Sequence, residues 1–376
     1  MKDNIILSNN FKNFESFRTF FLSLPLLERT GYFIWPSLDS TLCHESELTL
    51  LRAIKPLGIV LFGRNLKDCQ EAKKLVENLK FLMKRQEIDN PLICIDEEGG
   101  RVSRLPKPHS RGHPAHYFSQ EGNDELLRRE TLEKVDFAKK IGINCFFAPC
   151  LDVLLNPKNS VIGDRSFGSD PKDVIFYSDI VAKIYREHKI LYAVKHFPGH
   201  GNTLQDSHID FATNEASVED IRDIEWRPFV HHIQTAAPLV MTAHVCIPDL
   251  DGRTPATLSR KILSILRNDL KFEGIIVSDD MRMNAISDFY GVTKKQESDI
   301  AENNDKDDNS MEDSYLRKAS LDALVAGCDV LLSCKSISKE KDLFYHVLEK
   351  FKDDNDFSEF MTQKAWRIYK TLKAFF

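Results

Sequence analysis

The feature that most constrains this chain is a rhythm: short apolar runs separated by amphipathic stretches of helical length. The runs are Gly31–Trp35, Leu57–Phe62, Pro91–Ile95, Asn144–Ala148, Tyr192–His196, Leu239–Ala243, Gly274–Ser278 and Asp329–Ser333. Most are apolar throughout, with no alternation, which suits strands buried on both faces of a helix-covered parallel sheet. Between them, Cys69–Arg85, Asn123–Lys140, Val174–His188, Val218–Thr235, Ser259–Leu270 and Met311–Gly327 read as helices. About eight such units close a (β/α)₈ barrel of the TIM type, an α/β fold. A doubly wound open sheet is the alternative, but no GxGxxG follows any early run. A length of 376 residues fits one such barrel, and 42% hydrophobic residues can fill its core.

Residues 31–376 are expected to form the barrel domain and residues 1–30 an N-terminal extension. Residues 297–314 (ESDIAENNDKDDNSMEDS) hold too few large apolar groups to offset the entropy of ordering, which predicts a mobile insertion after the seventh strand. The apolar stretch Phe20–Leu27 follows Asp3 and Glu15 and has no small-residue cleavage site after it, so it reads as a packing segment. No apolar run approaches the ~20 residues that span a bilayer. Eight cysteines form no CxxC pair and no zinc spacing, and several sit inside apolar runs, as expected of core thiols in a reducing, cytoplasmic setting. A net charge of −6 with scattered Lys and Arg gives no footprint for nucleic acid or an anionic membrane. Oligomeric state is not legible.

A barrel carries its chemistry in the loops at the carboxyl ends of its strands. Here those ends read Gly63-Arg64-Asn65, then Asp96-Glu97-Glu98-Gly99-Gly100-Arg101 and onward to Arg104. The fourth run leads to Asp152, Asn156, Asn159 and Gly163-Asp164-Arg165, and the fifth to Lys195-His196-Phe197-Pro198-Gly199-His200-Gly201 and Asp206-Ser207-His208. The sixth gives His244 and the seventh Ser278-Asp279-Asp280. Singly, each has an ordinary explanation. Asp280 could cap a helix, Arg101 could pair with Glu97 or Glu98 on the surface, and Gly99-Gly100 could turn the chain. Together they predict a polar active-site mouth.

At these residues the sequence resembles glycoside hydrolase family 3. The blocks are Ile95-Asp96-Glu97-Glu98-Gly99-Gly100-Arg101-Val102, Lys195 to Gly201, Asp206-Ser207-His208 and Val277-Ser278-Asp279-Asp280-Met281. The similarity runs from about Gly31 to Cys334 and is greatest to single-domain bacterial β-N-acetylhexosaminidases that recycle peptidoglycan. The resemblance implies a retaining glycosidase that needs no cofactor or metal and acts on N-acetylglucosamine-containing glycans or muropeptides. It implies Asp279 as nucleophile, His208 as general acid/base paired with Asp206, and Asp96, Arg104, Arg165, Lys195 and His196 as sugar contacts. The acidic stretch at 297–314 and the residues before Gly31 depart from the family pattern.

The residue types suit that chemistry. Retention needs a carboxylate that attacks the anomeric carbon and an acid that protonates the departing oxygen. Histidine titrates near neutrality without tuning, and Asp206, two positions before His208, could orient its ring if the loop is extended. Asp279 and Asp280 are rivals that sequence alone does not separate; the motif favours Asp279. Arg165 could instead form a buried ion pair with an acidic rim residue. Three other functions stay open: a phosphorylase, in which phosphate replaces water; a metal-dependent hydrolase using Lys195, His196, His200, His208, His244 and an Asp at a late strand end; and a non-catalytic sugar binder. Against the metal reading, the first strand carries Ile34-Trp35-Pro36-Ser37 where amidohydrolases carry HxH.

Overall fold

Leu92-Ile93-Cys94-Ile95 is buried at every position, as are Gly58–Leu61 and Ile34–Ser37. A strand hides both of its faces only when it is covered on two sides, and this chain does so by closing its sheet. The computed structural model describes residues 9–107, 112–205, 212–292 and 306–376. Its parallel strands form a closed barrel in chain order: β1 (Ile34–Ser37), β2 (Gly58–Leu61), β3 (Leu92–Ile95), β4 (Cys145–Phe146), β5 (Leu191–Phe197), β6 (Leu239–Thr242), β7 (Ile275–Asp280) and β8 (Val330–Ser336). Ile34 of β1 pairs with Leu331 of β8, which seals the ring. The eight-stranded (β/α)₈ expectation holds, and the open sheet is excluded.

Short polar residues start the surrounding helices. Asp68 accepts from the N–H groups of Gln70 and Glu71 ahead of Cys69–Leu82. Asn123 does the same for Asp124–Ile141 and Asp170 for Pro171–Glu187. Such caps satisfy donors that the first turn leaves unpaired. The helices that follow β5 and β6 each contain one wider turn, at Ile221–Glu225 and Ile265–Asp269. Before the barrel, Phe14–Ser23 buries Phe17 and Phe21, with Phe17 5.3 Å from Trp366 and 5.4 Å from Tyr369 of the C-terminal helix Asn355–Phe375. The Phe20–Leu27 stretch is a packing segment.

The structure differs from the sequence reading in three places. β1 begins at Ile34, three residues late, because Leu26–Thr30 forms a short helix that turns directly into it. Two helices, Glu45–Ile54 and Ala115–Glu121, were not legible. The helix before β8 begins at Lys306, not Met311, so residues 306–314 of the expected insertion are helical. Residues 297–305 lie outside the described residues. Among the described residues, no helix is long and apolar enough to cross a membrane.

Candidate active site

All eight strands point their carboxyl ends to one mouth, and β3, β5 and β7 supply its charged floor. Directly after β3, Asp96 accepts from Lys195 Nζ at 2.8 Å. Glu98 takes the same ammonium at 2.6 Å and receives Arg165 in a forked pair, Nε at 2.9 Å and Nη2 at 2.8 Å. Burial alone would push Glu98 up, but Lys195 and Arg165 hold it far below the ordinary carboxylate range. Lys195, buried on β5, is raised in turn because Asp96 and Glu98 outweigh its desolvation. The alternative foreseen for Arg165, a buried ion pair, is what the structure contains.

His196 is oriented from behind. Its Nδ1 lies 2.6 Å from Asp152 Oδ2, and Arg165 Nη2 stands 3.1 Å from its Nε2. Asp152 is fully buried; it also accepts the backbone N–H of His200 at 2.8 Å and the Cys150 thiol at 3.1 Å. Burial opposes its charge, yet His196 and these donors hold it well below the usual range. The segment after β5 fits only with glycine at two points. A Cβ on Gly201 would collide with the Val153 carbonyl, and one on Gly199 (φ +119°) would meet Glu225 Oε2 at 2.5 Å.

At the end of β7 the two adjacent acids separate by environment. Burial pushes Asp279 up, but His244, His196, the Asp280 N–H at 2.7 Å and Lys195 together bring it below its ordinary value. Burial raises Asp280, and its Oδ1 is occupied by the N–H groups of Cys334 at 3.0 Å and Arg282 at 3.2 Å. His244, at the end of β6, donates from Nε2 to the Asp280 carbonyl at 2.9 Å and packs Nδ1 against Thr257 Oγ1 at 2.8 Å. After its own desolvation, Asp280, Asp96 and Asp279 all raise the half-buried Cys334 thiol.

The structure therefore gathers Asp96, Arg165, Lys195, His196 and Asp279. Arg104 joins only through its backbone N–H, which Glu97 accepts at 2.8 Å; among the described residues its side chain has no partner. Asp206 and His208 lie outside the described residues. The chain leaves the mouth through Leu204–Gln205 and returns at Ala212–Thr213, which pair antiparallel, with Val245–Cys246 as third strand. Glu98, Asp152 and His244 stand at strand ends, where the sequence places them at the mouth, but the sequence reading gives none of them a role in the glycosidase site. The surface pairing open to Arg101 is made with another partner, Asp164 at 2.8 Å, and not with Glu97 or Glu98.

Among the described residues, Cys150, Asp152 and His196 are close enough to share a metal ion. They fit one poorly. His196 Nδ1 and Asp152 are already hydrogen-bonded to each other, and the Arg165 guanidinium stands on the other ring nitrogen. A cation there would face a fixed positive charge.

Comparison with known proteins agrees with this geometry. Residues 43–369 match the glycosyl hydrolase family 3 N terminal domain. A β-hexosaminidase of Xanthomonas campestris is 31% identical over 283 residues, which cover 74% of this chain and 76% of that protein. A family 3 β-N-acetylglucosaminidase from Paenibacillus superposes with a TM-score of 0.76 at 28% identity; the match covers 94% of this chain but 62% of that longer one. Mycobacterium tuberculosis LpqI superposes with a TM-score of 0.77 at 25% identity, covering 94% and 96%. A match over most of the barrel, with the same fold in its relatives, means that the chain belongs to glycosyl hydrolase family 3 and is a glycoside hydrolase.

Proposed function

We propose that the protein is a retaining β-N-acetylglucosaminidase that removes terminal β-linked N-acetylglucosamine from muropeptides during peptidoglycan recycling in the cytoplasm. The substrate class is supported by the names of its relatives, β-hexosaminidase and β-N-acetylglucosaminidase. The reducing compartment is supported by eight free cysteines. The observation that carries the mechanism is the opposite tuning of two neighbouring acids. Asp279 is held ionised in the cavity of Asp96, Lys195 and His196, while Asp280 spends its carboxylate on backbone N–H groups.

In the first step Asp279 attacks the anomeric carbon, forming an ester as the bond to the aglycone oxygen breaks. His208, assisted by Asp206, gives that oxygen its proton. In the second step His208 takes a proton from water, which attacks the same carbon and releases Asp279. Lys195 and Asp96 hold sugar hydroxyls as donor and acceptor, and His196 is kept in position by Asp152. Arg165 locks Glu98 and through it Lys195, and Arg104 reaches the sugar from the mouth.

Proton NMR of the first product from a β-N-acetylglucosaminide tests this. The β anomer of free N-acetylglucosamine should appear first, in phosphate as in phosphate-free buffer. An α anomer first would overturn the double displacement, and N-acetylglucosamine 1-phosphate would assign the phosphorylase instead.

A further inference from the structure

The opposite end of the barrel holds a second cavity, about 230 Å³ in volume, between the helical segment 260–269, the end of Lys306–Ala326 and the C-terminal helix. Four cationic side chains line it: Arg260, Arg267, Lys364 and Arg367. One carboxylate answers them. Asp329, buried at the entry to β8, accepts from Arg267 Nη2 at 2.7 Å and Arg367 Nη1 at 2.5 Å, with Lys364 Nζ at 3.7 Å. Its second oxygen also takes the Ile276 N–H at 2.9 Å, so it has little capacity left.

The positive charge is therefore in excess. Arg260 is exposed and, among the described residues, has no ion-pair or hydrogen-bond partner, and Arg367 commits one nitrogen only. Burial pulls Lys364 down to about 8; Asp329 resists this, whereas Arg367 and Arg267 push the same way as burial. A further anion would relieve that repulsion. The cavity is larger than a phosphate needs, and its rim carries Phe360 and Val325, both apolar and exposed.

The geometry points to a binding site for a small phosphate-bearing anion at the amino-terminal end of the barrel, separate from the sugar site. Guanidinium groups suit this ligand because their fork matches phosphate oxygens. Arg260 and Arg367 would hold the phosphates, Lys364 would form the floor, and an attached organic group would lie on Phe360 and Val325.

Titration calorimetry of the full chain with inorganic pyrophosphate, and separately with a nucleoside diphosphate, tests the site at matched ionic strength. Arg260→Glu and Gln363→Glu each bring a negative charge to the cavity wall from an exposed position, away from the Asp329 network. Pyrophosphate should bind the parent chain, and each variant should weaken it at least tenfold with no change in glycosidase activity. Tighter binding of the nucleoside diphosphate would assign the ligand to organic phosphates seated on the rim; equal binding would assign it to inorganic ones. Absence of binding, affinity unchanged in both variants, or an effect matched by sodium chloride would overturn the proposal.

Discussion

Glu225→Gln gives the most quantitative test of the electrostatics around the mouth. Glu225 lies buried beneath the segment after β5; its Oε1 accepts from Asn214 Nδ2 at 2.6 Å, and its Oε2 is unpaired among the described residues. Burial pushes this carboxyl from an ordinary 4.5 to about 7; Asp152 adds to the rise, and the Asn214 amide and nearby Asn202 N–H oppose it. In the unfolded chain the group titrates near ~4.3. The folded value is raised, so the folded state prefers the neutral form. Its stabilising contribution is complete below about pH 4.3 and is lost as pH rises through about 7. At ~1.4 kcal/mol per pH unit, the full loss amounts to about 4 kcal/mol, of which roughly 3 falls between about pH 4 and about pH 8. Glutamine cannot ionise and escapes it. Urea unfolding of both chains from about pH 4 to about pH 8 should show the variant gaining about 3 kcal/mol relative to the parent, other titrations cancelling in the difference. Two parallel stability curves would refute the reasoning.

Four further outcomes follow from the site. Glu98→Gln removes the anion shared by two buried cations, which should cost about 3–5 kcal/mol in chemical denaturation and raise KM. Asp279→Asn should abolish turnover of an aryl β-N-acetylglucosaminide with the fold intact by circular dichroism. Asp280→Asn should keep measurable turnover and lose about 1–3 kcal/mol of stability, because its carboxylate holds two backbone N–H groups. His208→Ala should slow an aryl substrate with a good leaving group less than a natural disaccharide, since protonation matters less there; equal losses in kcat/KM would contradict the acid role.

The barrel was legible because strands buried on both faces leave uninterrupted apolar runs, and a parallel sheet forces helices between them. Asp96, Lys195, His196 and Asp279 were legible because they directly follow such runs, which fixes their height at the mouth. Glu98, Asp152 and His244 were visible as polar strand ends, but their roles depend on distant partners. Glu98 meets Arg165 across 67 positions of chain, and Asp152 meets His196 across 44. Arg101 illustrates the converse: although near Glu97 and Glu98 in sequence, it follows the Gly99-Gly100 turn and swings out to Asp164. The separation of Asp279 from Asp280 needed the Cys334 N–H from the neighbouring strand, which no local pattern records.

The claim on which the rest turns is that Asp279 becomes covalently bonded to the sugar. Peptide mass spectrometry after incubation with a 5-fluoro N-acetylglucosaminyl fluoride reads this directly. The expected result is one glycosyl adduct on Asp279, released when an acceptor is added; an adduct on Asp280 or Asp96, or turnover with no adduct on any carboxylate, would contradict it.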